Sequence, residues 1–254
     1  VLYRVTADLA MVDKADYMAG NPLFNQFLAV QASAGQEDLQ QLRDLAAKFE
    51  FGHTLVLRNP ELTGPGSHEF QPASATTTPA GATTAYSFAD LDEKHGVPHV
   101  RATLEVTAKA WGFYPDTEPP GPALTAGTPF WPADDPRIIE QARRITDGRS
   151  TSEAKVQALL EWLTPGENLK YSGPTGSRWG TAKVLEQKFG RCWDFSDCFV
   201  TLGRAVGVPC RQVAGWLYRS SGHVWAEYYR EGEGWQQVDP TAGGKMPCDT
   251  FYIP

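Results

Sequence analysis

Three short segments near the end of the chain carry side chains that together can make a cysteine nucleophilic. Cys192 lies in GRCWDF, His223 in GHVWAE and Asp239 in GWQQVDPT. A free thiol, with a pKa of ~8.5, is mostly un-ionised at neutral pH, so a nucleophilic cysteine needs a neighbouring base or a positive potential. The base in turn needs a partner that orients it. A thiol, an imidazole and a carboxylate in this order therefore predict nucleophilic catalysis by Cys192.

Composition and charge limit the partners of the chain. Its 254 residues are enough for a substantial core, and 41% hydrophobic with 21% charged residues is typical of a globular protein. The net charge of −7, without a basic run, argues against nucleic acid and anionic membranes as partners. No stretch approaches the ~20 apolar residues of a membrane span. With Cys192 as nucleophile, at most one disulfide can form among Cys198, Cys210 and Cys248. The compartment stays open, with a secreted or periplasmic location favoured.

The N-terminal part, residues 1–114, is predicted to be a mixed α/β segment whose independence the sequence does not decide. Periodicity predicts strands at 2–11, 54–57 and 100–108 and an amphipathic helix at 37–50. Residues 72–84 consist mainly of Pro, Ala, Ser, Gly and Thr, a composition that predicts a mobile surface loop. The proline-rich residues 115–134 are interpreted as a linker or an extended crossing of the surface.

Residues 135–254 are predicted to form a core in which helices precede a sheet. Asp135 caps a helix that Pro136 opens, and Ser150 to Glu153 has the spacing of a capping box. Two further helices follow, at 181–188 and from Cys192 to Val206. Strands at 211–218, 223–229 and 235–238, joined by turns rich in Gly, Ser and Glu, predict an antiparallel meander. The fold class is therefore α+β.

The predicted elements place the three chemical residues favourably. Cys192 starts a helix just after Gly190, where unpaired backbone amides favour a thiolate and can donate to an oxyanion. His223 starts the second strand of the meander. Asp239 ends the third, one residue before a proline that stops pairing. An antiparallel arrangement could set Asp239 beside His223 and hold its tautomer.

These segments resemble the core of the transglutaminase superfamily. The resemblance rests on the Cys-Trp pair after Gly190, on HVWAE from His223, on GWQQVDPT and on LGRAVGVPCRQV at 202–213. It implies a papain-like arrangement in which Cys192 is the nucleophile, His223 the base and acid, and Asp239 the orienting carboxylate. The family also has an aromatic residue ahead of the cysteine helix that binds the oxyanion. The segment SRWGTAKVL resembles this region and nominates Trp179, whose indole N–H is a donor only.

The chain also departs from the animal transglutaminases. They place a second tryptophan three residues before the catalytic histidine, where this chain has Ser220, so a more open site would let water compete with an amine. The resemblance leaves calcium open as a ligand, but the calcium sites of those enzymes have no match here, and no cofactor is predicted. His53, His68, His95 and His99 lack the spacing of a zinc site, and no metal site is predicted.

The main hypothesis is a transglutaminase-like cysteine acyltransferase that acts on glutamine carboxamides or peptide amides through a thioester. A protein or peptide is then the first substrate, and a primary amine or water the second. Two alternatives stay open. A cysteine peptidase or amidase would resolve the same thioester with water alone, and a non-catalytic module would keep the fold to bind peptides.

Overall fold

The computed structural model describes residues 2–11, 22–33, 38–49, 51–58, 68–80, 83–94, 96–107, 117–217, 222–243 and 252–253. The elements in chain order are β1 Leu2–Ala10, α1 Pro22–Ser33, α2 Leu39–Ala46, β2 Thr54–Arg58, β3 His68–Gln71, β4 Ala75–Ala80, β5 Thr83–Phe88, β6 Asp92–Lys94, β7 Val97–Thr107, α3 Pro136–Ile145, α4 Ser152–Leu163, β8 Lys170–Tyr171, α5 Thr181–Gln187, β9 Phe189–Gly190, α6 Cys192–Ala205, β10 Cys210–Leu217, β11 Gly222–Arg230, β12 Gly234–Val238 and β13 Tyr252–Ile253. Helices and mainly antiparallel sheets confirm the α+β class.

The N-terminal part contains two antiparallel sheets. One has the order β1-β7-β3 with β6 also on β7, and the other has the order β2-β5-β4. Apolar side chains from both sheets form one buried cluster, which includes Phe70, Val100 and Leu104 from the first and Leu57 and Phe88 from the second. Burial of this apolar surface is the main force that holds the two sheets together.

Helices α1 and α2 build a second N-terminal cluster. Phe24 and Phe27 of α1 and Leu42 and Leu45 of α2 are buried in it. The prediction of an amphipathic helix at 37–50 is thus confirmed for Leu39–Ala46, and both ends of the predicted range lie outside the described residues.

The prediction of a mobile loop at 72–84 is wrong. Most of this range belongs to β4 and the start of β5, which pair antiparallel from Ala75↔Phe88 to Ala80↔Thr83. Threonine-rich sequence has a good β-propensity, and a largely exposed edge strand needs backbone pairing more than apolar side chains. Composition alone therefore underestimated this segment.

The C-terminal part packs helix α6 against three other helices and a sheet. The sheet has the order β12-β11-β10-β13, and its first three strands form the predicted meander. Phe195, Phe199 and Leu202 of α6 are fully buried in the main core cluster. At the start of α3, the Asp135 carboxylate accepts the Arg137 amide at 2.8 Å, as predicted. Helix α4 is capped by Thr151, one residue later than the predicted box at Ser150.

Residues 117–134 cross the surface of this core in a mostly irregular path. Three hydrogen bonds of buried or half-buried side chains attach this segment to the core. The Trp131 indole donates to Asp197 at 2.8 Å, the Trp235 indole donates to the Glu118 carbonyl at 3.1 Å, and Arg204 donates to the Ala123 carbonyl at 3.3 Å. The division into domains at 115 and 135 remains a prediction.

The helices have no membrane-spanning character. Among the described residues, none of them combines the length and the apolarity that crossing a bilayer requires.

Candidate active site

Cys192 is the first residue of α6, at the N-terminus of a helix that is buried along most of its length. The parallel pair β8–β9 leads into it, with Tyr171 opposite Gly190. A Cβ atom at Gly190 would lie 2.5 Å from the Cβ of Asp194, so only glycine lets the first turn of α6 fold back this closely. Cys192 is partly exposed and is not in a disulfide. The helix start predicted from the sequence is therefore where the thiol lies.

A buried hydrogen bond ties the cysteine helix to the strand that carries the histidine. The Ser196 hydroxyl, one turn after Cys192, donates to the Val224 carbonyl at 3.0 Å. Val224 follows His223 directly in β11. This contact fixes the distance between the two elements, and no pattern in the sequence indicates it.

His223 and Asp239 form a close buried pair. The His223 Nε2 atom lies 2.7 Å from Asp239 Oδ2, and the two side chains are 9% and 2% exposed. The other carboxylate oxygen of Asp239 accepts from the Thr241 amide at 2.8 Å and from its hydroxyl at 2.6 Å. Because both oxygens are held, the carboxylate has one orientation and fixes the imidazole ring. The predicted neighbourhood of these two residues is what the structure shows.

The pairing favours the charged form of both groups. Burial opposes the imidazolium, but the hydrogen bonds to Asp239 and Cys192, with the charge of Asp239, outweigh it and raise the pKa of His223 to about 9. Burial also opposes the carboxylate, but the hydrogen bond and charge of His223, with the hydrogen bonds from Thr241, lower the pKa of Asp239. An imidazolium beside a carboxylate is thus a stable state of this site.

The imidazole is also in contact with the thiol. Cys192 hydrogen-bonds the His223 ring, and both residues line one cavity of about 560 Å³. Since Nε2 is occupied by Asp239, Nδ1 is the ring atom left for the sulfur. The Trp225 ring stacks on the His223 ring, with 6.2 Å between the two ring centroids. The structure therefore brings the thiol, imidazole and carboxylate together in one row.

Trp179 lies on the loop before α5 and is tied to the same helix. Its backbone amide donates to Asp194 Oδ1 at 2.6 Å. Its indole nitrogen is buried and has no hydrogen-bond partner among the described residues. A buried N–H without an acceptor costs ~1–3 kcal/mol, which a bound acceptor would recover. Within the described structure, the Trp179 indole is therefore an unpaired hydrogen-bond donor on a loop that is tied to α6.

Asp194 is the residue that joins these parts, a role that its position in the first turn of α6 does not reveal by itself. It is fully buried and accepts the Trp179 amide on one oxygen, and the Arg191 amide at 2.9 Å and the Ser177 hydroxyl at 3.2 Å on the other. Burial raises the pKa of Asp194 to about 7 against these hydrogen bonds. The carboxylate thereby links the Trp179 loop to the turn before Cys192.

A buried ion pair anchors the same loop one residue earlier. The Arg178 guanidinium donates through Nε and Nη2 to the two carboxylate oxygens of Asp197 in α6, at 2.6 and 2.7 Å, with side chains 6% and 0% exposed. Gln212 of β10 donates to the same carboxylate at 2.9 Å. Breaking one partner of such a pair would leave a buried charge, so the loop, the helix and the sheet are held as one unit.

Tyr171 is a site residue that the sequence analysis missed. Its side chain is 41% exposed, and its hydroxyl hydrogen-bonds both the Cys192 thiol and the Arg191 guanidinium. Arg191 lies over its ring at 5.1 Å from the centroid. Burial and the nearby Cys192 raise the pKa of Tyr171, so its hydroxyl stays a donor. Only the pairing of β8 with β9 reveals this neighbour.

The remaining candidates are not part of this cluster. Cys198 and Cys210 are buried and free, and burial raises the pKa of both thiols. Within the described ranges, no group of three or more His, Cys, Asp or Glu residues could hold a metal ion. Three residues discussed from the sequence lie outside the described residues: His95, Ser220 and Cys248.

The fold and this arrangement define a papain-like cysteine core, and comparisons with known proteins agree. Residues 139–240 match the sequence model of the Transglutaminase-like superfamily. The structure of a proposed cysteine protease from Cytophaga hutchinsonii aligns with a TM-score of 0.56 at 16% identity, over 79% of this chain and 74% of that one. Residues 139–240 thus belong to the transglutaminase-like superfamily.

Two relatives show the range of named activities. A protein-glutamine gamma-glutamyltransferase of Pseudomonas aeruginosa is 26% identical over 122 residues, 42% of this chain and 18% of that protein. A peptide-N(4)-(N-acetyl-beta-glucosaminyl)asparagine amidase of Gallus gallus is 39% identical over 59 residues, 23% of this chain and 8% of that protein. The chain spans less than a fifth of the length of the curated relatives it matches.

Replacing Asp194 with asparagine should destabilise the site. Both carboxylate oxygens accept backbone amides, whereas asparagine would turn an NH₂ group toward one of them. We expect Asp194→Asn to lower the free energy of unfolding by about 1–3 kcal/mol in urea titrations. The exposed Asp147→Asn is the control and should change it little. Equal stability of both variants would contradict the linking role of Asp194.

The His223–Asp239 pair should give stability a characteristic pH dependence. Because folding raises the pKa of His223 from 6.5 to about 9, its contribution is complete below pH 6.5 and is lost as pH rises through 9. The lowered pKa of Asp239 acts only in acid and adds no slope in this window. Urea unfolding from pH 6 to 10 should show a fall in wild-type stability that Asp239→Asn reduces. Asp90→Asn should retain the wild-type slope, and an equal slope in Asp239→Asn would refute the pairing.

Proposed function

We propose that this chain is a transglutaminase-like cysteine acyltransferase that acts on glutamine carboxamides or peptide amides of protein substrates. The observation that carries the proposal is the 2.7 Å contact of His223 with Asp239, on a ring that also meets Cys192 in one cavity. A nucleophile, a base and an orienting group within hydrogen-bonding reach are the recognised requirement for covalent catalysis.

In the first half of the reaction, the Cys192 thiolate attacks the carbonyl carbon of the amide. The carbonyl oxygen becomes an oxyanion, for which the Cys192 amide and the Trp179 indole are the proposed donors. The imidazolium of His223 then protonates the departing amine or ammonia, and the C–N bond breaks to leave a thioester. Asp239 stabilises the imidazolium through this step.

In the second half, His223 removes a proton from an incoming nucleophile. A primary amine would form a new amide, and water would form the carboxylic acid. Either one attacks the thioester carbonyl, and the sulfur leaves as thiolate. The orphaned indole N–H of Trp179 supports its oxyanion role, since a preorganised donor of this kind is worth ~3–4 kcal/mol.

Hydrolysis alone is a second candidate. Relatives that cover only part of the chain include a named amidase, and Tyr171 and Cys192 are both partly exposed, so water can reach the thiol. A cysteine peptidase or amidase would use the same residues up to the thioester and differ only in the acceptor.

One paired assay tests the proposal and separates the two candidates. A glutamine-containing protein such as casein is incubated with a labelled primary amine, and amine incorporation and ammonia release are measured together. We expect Cys192→Ala to lower both amine incorporation and ammonia release by at least ~10³-fold, because the thioester cannot form. Cys210→Ala, a buried cysteine outside the site, is the matched control and should retain both.

The outcomes are distinct. Ammonia release without amine incorporation would establish the hydrolase, whereas retention of wild-type turnover by Cys192→Ala would end the proposal.

A further inference from the structure

The groove beside Cys192 is built from two parts of the chain. The cavity that contains Cys192 and His223 is lined on one side by β10 and β11 and on the other by Leu9 of β1 and Leu55 to Leu57 of β2. The match to the transglutaminase-like superfamily covers residues 139–240, so the wall from β1 and β2 lies outside the matched segment. A second cavity of about 830 Å³ continues past Val56 and Trp193 toward Phe24 and Phe27.

This groove is apolar. Among the described residues that line its first cavity, of about 560 Å³, Cys192 and His223 are the only titratable ones, although the whole chain carries a net charge of −7. Trp193 and Trp216 contribute aromatic surface. Around the second cavity, the described part of the chain places one charged group, Arg178, which Asp197 already neutralises. A site of this size, largely apolar with few polar groups, is typical of one that receives a ligand side chain.

Exposed apolar residues point to the same place. Among the described residues, the large hydrophobic side chains that are strongly exposed are Val56, at 58%, and Tyr171, at 41%. Val56 lines both cavities, and Tyr171 contacts the Cys192 thiol. Exposed apolar surface that gathers around one cleft is surface that a partner covers.

We propose that this groove selects peptide substrates with an apolar or aromatic side chain beside the reacting carboxamide, and that Val56 is a specificity-determining residue. This inference rests on the proposed function of Cys192. The flanking side chain enters between β2 and the core, and a charged side chain there would lose its hydration without gaining a counter-ion.

The experiment compares two glutamine peptides that differ only in the residues beside the glutamine, which are Phe on both sides or Asp on both sides. The wild type should favour the Phe peptide by at least about tenfold in kcat/KM. Val56→Lys should reduce this preference by about tenfold or more, mainly through KM, because it introduces a cation into the apolar wall. Thr77→Lys, at an exposed β-branched residue of the same sheet, is the matched control and should retain it.

A binding measurement keeps this inference separate from catalysis. The Kd of the Phe peptide is measured with Cys192→Ala, alone and combined with Val56→Lys. One outcome is that the wild type turns over neither peptide while the Phe peptide still binds more tightly than the Asp peptide, and Val56→Lys weakens that binding. In that case the proposed function fails, and the inference about the groove is supported. An unchanged peptide preference and an unchanged Kd in Val56→Lys would overturn the inference.

Discussion

The buried carboxylates of α6 are the constraint on which the site depends. Asp194 and Asp197 are fully buried in a helix whose first residue is Cys192, and each must be satisfied by hydrogen bonds. Asp194 accepts from the backbone amides of Trp179 and of Arg191, and Asp197 accepts from the Arg178 guanidinium. Because unsatisfied buried charges are costly, the Trp179 loop is held where the Arg178 guanidinium and the Trp179 amide can bind these two carboxylates.

The chemical residues then follow from short links between rigid elements. Ser196 joins the helix to β11 next to His223, and Asp239 is held by Thr241 just beyond β12. These contacts hold the thiol, imidazole and carboxylate beside one another. A site on a helix end and two paired strands is preorganised, so little reorganisation is needed when charge develops.

Much of this arrangement could be predicted from the sequence, and the reasons are physical. The helix at Cys192 and the meander that carries His223 and Asp239 have strong periodicity and clear turn residues. Tyr171 could not be predicted, since a two-residue parallel pair with β9 places it. The strand at 75–80 was missed because its pairing depends on the backbone rather than on apolar side chains. The apolar wall at Val56 depends on tertiary packing that local patterns do not encode.

The most direct test is the rate at which iodoacetamide alkylates Cys192 at pH 6, followed by mass spectrometry of the peptide that contains it. Free thiols are almost fully protonated at this pH, whereas a thiolate paired with the His223 imidazolium is reactive. The wild type should react at least about tenfold faster than His223→Asn and than the urea-unfolded chain. Equal rates in all three would show that the imidazole does not activate the sulfur, and would contradict the account.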